Sequence, residues 1–153
     1  MTTDERILEK GKIPAGGVHG GDGSRAAEGD IAFGCGVCLG TDKETQVKLF
    51  ASGCVFWGVA VYDPTKGYVP DGSGNMVTER RYHDGDAVSV LRRGPIVVEV
   101  EEEVEAGDPV YVSHTTGNFY KQAGAGQTLV AGAKFNTSAS GDGELAEIEL
   151  NLP

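Results

Sequence analysis

The chain has 153 residues, of which 24 are glycine, with a hydrophobic fraction of 39% and a formal net charge of −10. This length fits one domain with a real core, and the high glycine content favours turns and short strands over helices. The negative charge argues against nucleic acid and anionic membranes as partners, because both bind clustered lysine and arginine.

The first residues contain no apolar stretch of signal-peptide length, and no segment is apolar over the length of a membrane span. We therefore expect synthesis in a cytosol. The three cysteines are Cys35, Cys38 and Cys54. An odd number cannot all pair within one chain, and in a reducing cytosol free thiols are the expected state.

Residues 1–27 are polar and rich in glycine. Such a segment buries too little apolar surface to offset the entropy that it loses on ordering alone. The composition predicts either an extended arm that becomes ordered against a partner or a disordered tail. An arm of this kind could wrap around a neighbouring protein or add a strand to the edge of its sheet.

Short strand patterns follow the arm. Residues 28–39 and 46–50 have the composition and alternation of strands, and residues 54–62 form the most apolar run, which at this length is typical of a buried strand. Residues 63–75 contain two prolines and three glycines. This content indicates a long surface loop, and such loops often carry function.

The central block, residues 83–113, carries the pattern Gly-Asp-x-Val-x-Val twice, at 85–90 and 107–112. Each copy predicts a tight turn, in which glycine takes a positive φ and aspartate bonds the backbone, followed by a half-buried strand. Between the copies, residues 94–100 predict a strand with Pro95 at its start, where a missing N–H costs little.

Alternating glutamates follow this strand. Glu99, Glu101, Glu103 and Glu105 are expected to form a solvated strand face, with a turn or bulge near Glu102.

Residues 144–150 alternate cleanly and predict the final strand. With about ten short strands and no helical pattern, the sequence predicts an all-β fold. We expect a single β-sandwich or barrel domain over residues 28–153, preceded by the extended arm of residues 1–27.

Cys35 and Cys38 form a CxxC pair. A zinc site would need further ligands, the candidates being Cys54, His19, His83 and His114. The second ligand pair of a structural zinc site is missing, and positions i and i+3 of a strand point to opposite faces. A redox motif would have to open a helix, and no helical pattern follows. Buried or half-buried structural cysteines are therefore the preferred interpretation.

No arrangement of residues indicates catalysis. The histidines lack HExxH spacing, and the aspartates of the Gly-Asp pairs fit turn chemistry. No nucleophile–base, phosphate-binding or calcium-loop pattern occurs. The sequence therefore predicts no catalytic, cofactor-binding or metal-binding residue.

Five short segments occur in a characteristic order. They are Ala-Glu-Gly-Asp-Ile-Ala-Phe-Gly at 27–34, Trp-Gly-Val-Ala-Val at 57–61, Gly-Asp-Ala-Val-Ser-Val-Leu-Arg-Arg-Gly at 85–94, Val-Glu-Ala-Gly-Asp-Pro-Val-Tyr-Val at 104–112 and Ala-Lys-Phe-Asn-Thr-Ser-Ala at 133–139. This ordered set resembles the bacteriophage structural cement, or capsid decoration, proteins. The resemblance covers most of residues 12–150.

The resemblance implies a jelly-roll-like β fold without catalytic activity. It implies a virion protein on the outside of the head that bridges neighbouring major capsid subunits and stabilises the expanded head. The implied partners are the major capsid protein and further copies of the chain, in a homodimer or a homotrimer.

Two other functions stay open. A β-sandwich binding module could recognise a cell-surface glycan through Tyr62, Tyr68 or the 63–75 loop, and a small β-barrel enzyme is the third hypothesis. The cysteines and the 63–75 loop have no place in the family pattern. The cysteines raise the hypothesis that one of them cross-links neighbouring copies after lysis.

Overall fold

The structure is a computed structural model that describes residues 9–14, 20–21 and 25–153. These residues form strands, turns and bends, and no helix occurs among them. The all-β prediction is therefore confirmed. The described residues also contain no helix of the length and apolarity that crossing a membrane requires. Most of the predicted arm lies outside the described residues.

Fifteen strands occur in the described part of the chain. They are β1 (Gly20–Gly21), β2 (Arg25–Ala27), β3 (Ile31–Ala32), β4 (Gly36–Leu39), β5 (Gln46–Leu49), β6 (Phe56–Ala60), β7 (Tyr68–Pro70), β8 (Met76–Thr78), β9 (Arg81–Tyr82), β10 (Ala87–Val88), β11 (Val90–Glu99), β12 (Pro109–Ser113), β13 (Phe119–Tyr120), β14 (Gln127–Phe135) and β15 (Leu145–Asn151).

Eleven of these strands share one sheet, in the order β10-β2-β5-β4-β6-β11-β15-β14-β12-β13, with β1 added beside β11. The remaining strands form two small sheets, in which β3 pairs with β9 and β7 with β8. Within the described residues the strand order does not return on itself. The sheets are therefore open, and of the two predicted forms the closed barrel is not adopted.

Two clusters of buried side chains form the core, and both depend on the repeated sequence pattern. The first copy supplies Val88 and Val90 to the smaller cluster, and the second supplies Val110 and Val112 to the larger one. Burying a valine contributes roughly 1.5–3 kcal/mol relative to leaving it exposed. The predicted alternation of these valines is confirmed.

The turns that precede these valines share one geometry. Gly85 and Gly107 have φ values of 88° and 95°, which a side chain would make costly. The carboxylates of Asp86 and Asp108 each accept a bond of 2.8 Å from the backbone N–H three residues upstream. The repeated pattern is therefore a repeated turn that starts a strand.

β11 passes through the centre of the main sheet and includes Pro95. The strand begins before this residue, so the prediction of a strand start at Pro95 is wrong. The Leu152 N–H donates to the Arg92 carbonyl at 3.0 Å. Because hydrogen-bonded residues alternate along an antiparallel strand, the even-numbered residues of β11 are those that bond β15. The nitrogen of Pro95 therefore points away from β15, and the ladder loses no hydrogen bond.

Two described pieces of the predicted arm lie along the other side of β11. The Gly11 N–H donates to the Val97 carbonyl at 2.7 Å, and the Val97 N–H donates to the Lys12 carbonyl at 2.9 Å. Further along the strand, Gly20 pairs with Arg93. These contacts place the described N-terminal pieces against their own chain.

The predicted glutamate strand face is not formed. β11 ends at Glu99, and the chain bends at Glu101 and Glu102, as the expected turn near Glu102 requires. Beyond the bend, Val104 forms only an isolated bridge with Ala139. The alternation of glutamates therefore arises in a bent connection.

Candidate functional site

The hairpin of β7 and β8 projects from the surface, and residues 70–81 are all exposed. Three of its apolar side chains are in contact with solvent: Tyr68 is 47% exposed, Met76 57% and Val77 45%. The prediction of a surface segment at 63–75 is confirmed, but that of a loop without strands is wrong. Because side chains alternate along a strand, Tyr68 and Met76 lie on one face of the hairpin and Val77 lies on the other.

The tip of the hairpin is held by Asp71. Its carboxylate accepts bonds from the Ser73 N–H at 2.7 Å, the Ser73 hydroxyl at 2.8 Å and the Asn75 N–H at 3.3 Å. The bond from the Ser73 backbone is the main reason that the pKa of Asp71 lies below its ordinary value. The tip is therefore a structured turn that fixes the register of the two strands.

A cleft of about 640 Å³ lies between the N-terminal piece and the base of the hairpin. Four of its charged residues form two pairs: Glu9 accepts from Arg80, and Lys10 Nζ lies 3.5 Å from the Glu99 carboxylate. Among the described residues, no group of three His, Cys, Asp or Glu side chains is placed to hold a metal ion. The cleft thus contains the ion pairs that attach the N-terminal piece.

Two of the three cysteines are joined. Cys38 and Cys54 form a disulfide with a Cα–Cα distance of 6.0 Å, so the expectation of free thiols is wrong for this pair. The reason is tertiary, because the turn after β5 returns Cys54 to β4 within the range that disulfides span. Cys35 is free and only 2% exposed, and burial raises the pKa of its thiol.

This pairing decides between the interpretations of the cysteines. A zinc site would need the thiolates that the disulfide consumes, and the only free thiol is buried. The preferred interpretation, structural cysteines, is therefore confirmed. The histidines proposed as ligands have other partners or are not described: His83 bonds Glu79 at 2.8 Å, His114 bonds the Thr128 hydroxyl at 2.6 Å, and His19 lies outside the described residues.

Glu101 is a half-buried polar centre, where the sequence predicted a solvated side chain. Its carboxylate accepts bonds from the Thr116 hydroxyl, from the Asn118 amide at 3.2 Å and from the Tyr120 hydroxyl at 2.5 Å. Burial acts to raise the pKa of Glu101, but these bonds outweigh it and hold the pKa below its ordinary value. The bond to Glu101 also raises the pKa of Tyr120 to about 12. The network fixes the turn between β12 and β13.

The chain matches a protein-family model over nearly its whole length. The model describes a structural cement protein (E217 gp24/Pam3 gp6) and matches residues 6–151. The chain belongs to this family of phage structural cement proteins. No curated protein matches the chain. The resemblance found in the sequence is therefore confirmed.

A solved structure shares the fold of this cement-family chain. It is a chain of the capsid of Myoviridae phage XM1, with a TM-score of 0.68 and 18% sequence identity, and the match covers 94% of this chain and 90% of that chain. At this identity the likeness concerns the fold alone. Family membership gives the chain a structural role in the phage capsid.

The sequence contains a signal for the hairpin that the loop prediction missed. The segment Asp-Gly-Ser-Gly-Asn at 71–75 separates two short runs, Tyr-Val-Pro and Met-Val-Thr. A glycine-containing connection of this length between two such runs is typical of a hairpin. Pro70 obscured the signal, because proline within a run argues against a paired strand.

Proposed function

We propose that the chain is a non-enzymatic head cement protein, which binds the outer surface of the capsid and bridges neighbouring major capsid subunits. The chain is synthesised in the host cytoplasm and, once bound to the expanded head, stabilises it. The observation that carries the proposal is the family match over residues 6–151. The net charge of −10 supports protein partners over nucleic acid or anionic membranes.

The described chemistry supports a role without catalysis. The charged side chains of the cleft are paired within the chain. The cysteines are either joined or buried. A cement protein needs contact area and not a reaction centre, because many symmetry-related copies turn weak single contacts into firm attachment.

We also propose that the chain divides into an N-terminal arm and one β domain. β2 pairs with β5 and β10 in the main sheet, and β1 pairs with β11 of the same sheet, so two short segments before the predicted boundary at residue 28 contribute strands to the domain. The piece of the arm at 9–14 bonds β11 through Gly11 and Lys12. These bonds attach the piece to β11 of its own chain, and the addition of a strand to a neighbouring protein stays a prediction from the sequence.

The glycan-binding alternative has less support. One of its two aromatic candidates, Tyr62, packs edge-on against Phe33 at 5.3 Å between ring centroids and lies under the Lys12 ammonium at 5.0 Å. Of the two tyrosines, Tyr68 is the exposed one, at 47%. A single exposed tyrosine does not form a sugar platform, so the cement role remains the proposal.

The proposal is tested by co-sedimentation of the full chain with expanded heads that lack it. We expect saturable binding at a fixed ratio to the major capsid protein, and heads that resist heat better than undecorated ones. Heads already saturated with unlabelled protein serve as the control and should take up no labelled protein. Absence of binding over a range of salt concentrations would contradict the proposal.

A further inference from the structure

The outer edge of β8 carries backbone groups that the hairpin does not use. Backbone bonds flank the ladder at both ends, from the Asp71 N–H to the Asn75 carbonyl at 3.0 Å and from the Glu79 N–H to the Gly67 carbonyl at 2.8 Å. Hydrogen-bonded and non-bonded pairs alternate along an antiparallel ladder. Since the pairs at both ends are hydrogen-bonded, Val77 forms the next hydrogen-bonded pair, with Val69 on β7. Met76 and Thr78 therefore turn their N–H and carbonyl groups outward.

The two edges of the hairpin differ in their capacity to accept a further strand. On β7 the outward positions are Tyr68 and Pro70, which pair with Thr78 and Met76. Pro70 has no N–H, so the edge of β7 lacks one of the donors that a ladder needs. The edge of β8 has all its donors and acceptors and is the one on which a strand can be added.

We propose that β8 pairs antiparallel with β8 of a second copy of this chain, across a two-fold axis at Val77. In this register Met76 of each copy lies opposite Thr78 of the other, and each outward N–H meets an outward carbonyl. The outward groups are placed symmetrically about Val77. The edge is therefore complementary to itself, as an isologous interface requires.

The side chains around the axis fit this pairing. Val77, which is 45% exposed, meets its own copy at the non-bonded centre, and Met76, which is 57% exposed, is partly covered. Glu79 lies opposite Asn75 of the second copy, and its carboxylate is also bonded by His83 at 2.8 Å. Two chains that each carry a net charge of −10 can thus meet here without opposing like charges.

The pairing concerns contacts between copies, and it goes beyond the proposed binding to the capsid. A ladder between two short strands buries less surface than the roughly 1,200–2,000 Å² of a stable interface. We therefore expect reversible association in solution and stronger pairing on the head, where neighbouring copies are held close together.

Covalent trapping of the axis tests the pairing in the absence of heads. In Val77→Cys the two new thiols face each other across the axis, at the Cβ separation of about 4.5–5.5 Å that opposite residues have. The matched control is Leu129→Cys on β14, where the native residue is 50% exposed. Under mild oxidation at high protein concentration, the first variant should form a covalent dimer and the second should stay monomeric on a non-reducing gel.

A charge pair at the same position gives a second readout. Val77→Lys and Val77→Glu each place like charges opposite one another and should each weaken self-association about tenfold in sedimentation equilibrium. An equimolar mixture of the two variants should associate again, because opposite charges then meet. Unfolding curves that match the wild type show that both variants are folded.

Two results would overturn the inference. The first is a Val77→Cys protein that forms no more covalent dimer than Leu129→Cys. The second is a Val77→Cys protein that cross-links on heads to the major capsid protein and not to its own copy, which would make a capsid segment the occupant of this edge. The first result is obtained without heads and does not depend on whether the chain binds them in the sedimentation test, so the two proposals can fail separately.

Discussion

The Cys38–Cys54 disulfide gives the sharpest stability prediction. It joins residues that are 16 positions apart. Closing a loop of this size in the unfolded chain is worth about 3 kcal/mol in the chain-entropy model. For a protein of this length, 1 kcal/mol shifts the unfolding temperature by roughly 2–4 °C. Reduction should therefore lower the unfolding temperature by about 6–12 °C.

The assay is thermal unfolding of the oxidised protein with and without a phosphine reductant. Reduction is a mild perturbation, because it opens the bond without removing an atom from the core around Cys38. Cys54→Ser is the matched control, since it has no disulfide to reduce. Its unfolding temperature should equal that of the reduced wild type within a few degrees and should not respond to the reductant.

Thiol counting fixes the redox state in the same samples. In denaturant without reductant, the oxidised protein should react with an alkylating agent at Cys35 alone. After reduction all three cysteines should react. Alkylation of the oxidised protein at every cysteine would exclude the disulfide, and an unchanged unfolding temperature after complete reduction would exclude its stabilising effect.

Two further predictions concern a side-chain network and a backbone contact. Glu101→Gln should lower the free energy of unfolding by about 1 kcal/mol at pH 7, whereas the exposed Glu103→Gln should not. The pKa of Glu101 is lower in the folded protein than its ordinary value of 4.5. The contribution of Glu101 to stability is therefore present above pH 4.5 and is lost as the pH falls through the folded pKa. Urea unfolding curves of the wild type and Glu101→Gln should converge in acid. Gly11→Ala should accelerate hydrogen exchange at the Val97 amide, because a Cβ at position 11 would lie 2.8 Å from a backbone nitrogen. Gly29→Ala is the control, since Gly29 has a similar positive φ and open surroundings. Equal exchange at Val97 in both variants would contradict the tight contact.

Local patterns in the sequence predicted the features that depend on adjacent residues. The Gly-Asp turns at Gly85 and Gly107 need only a glycine and the next aspartate, so the pattern alone was enough. The final strand was equally clear, because Ala146, Ile148 and Leu150 are buried and alternate with glutamates. These elements required no knowledge of the rest of the chain.

Features set by distant residues could not be predicted in this way. Glu101 was placed on a solvated face because its partners, Thr116 and Tyr120, reach it only after the chain reverses direction. The disulfide was missed for the same reason, since no spacing rule pairs Cys38 with Cys54. Long-range contacts decide both, and they appear only in the folded structure.

We propose that the chain bridges major capsid subunits on the outside of the head. Electron cryomicroscopy of expanded heads saturated with the purified chain tests it most directly. We predict additional density on the outer surface that fits the β domain and contacts two adjacent major capsid subunits. Density that contacts a single subunit, or that lies inside the shell, would contradict the account.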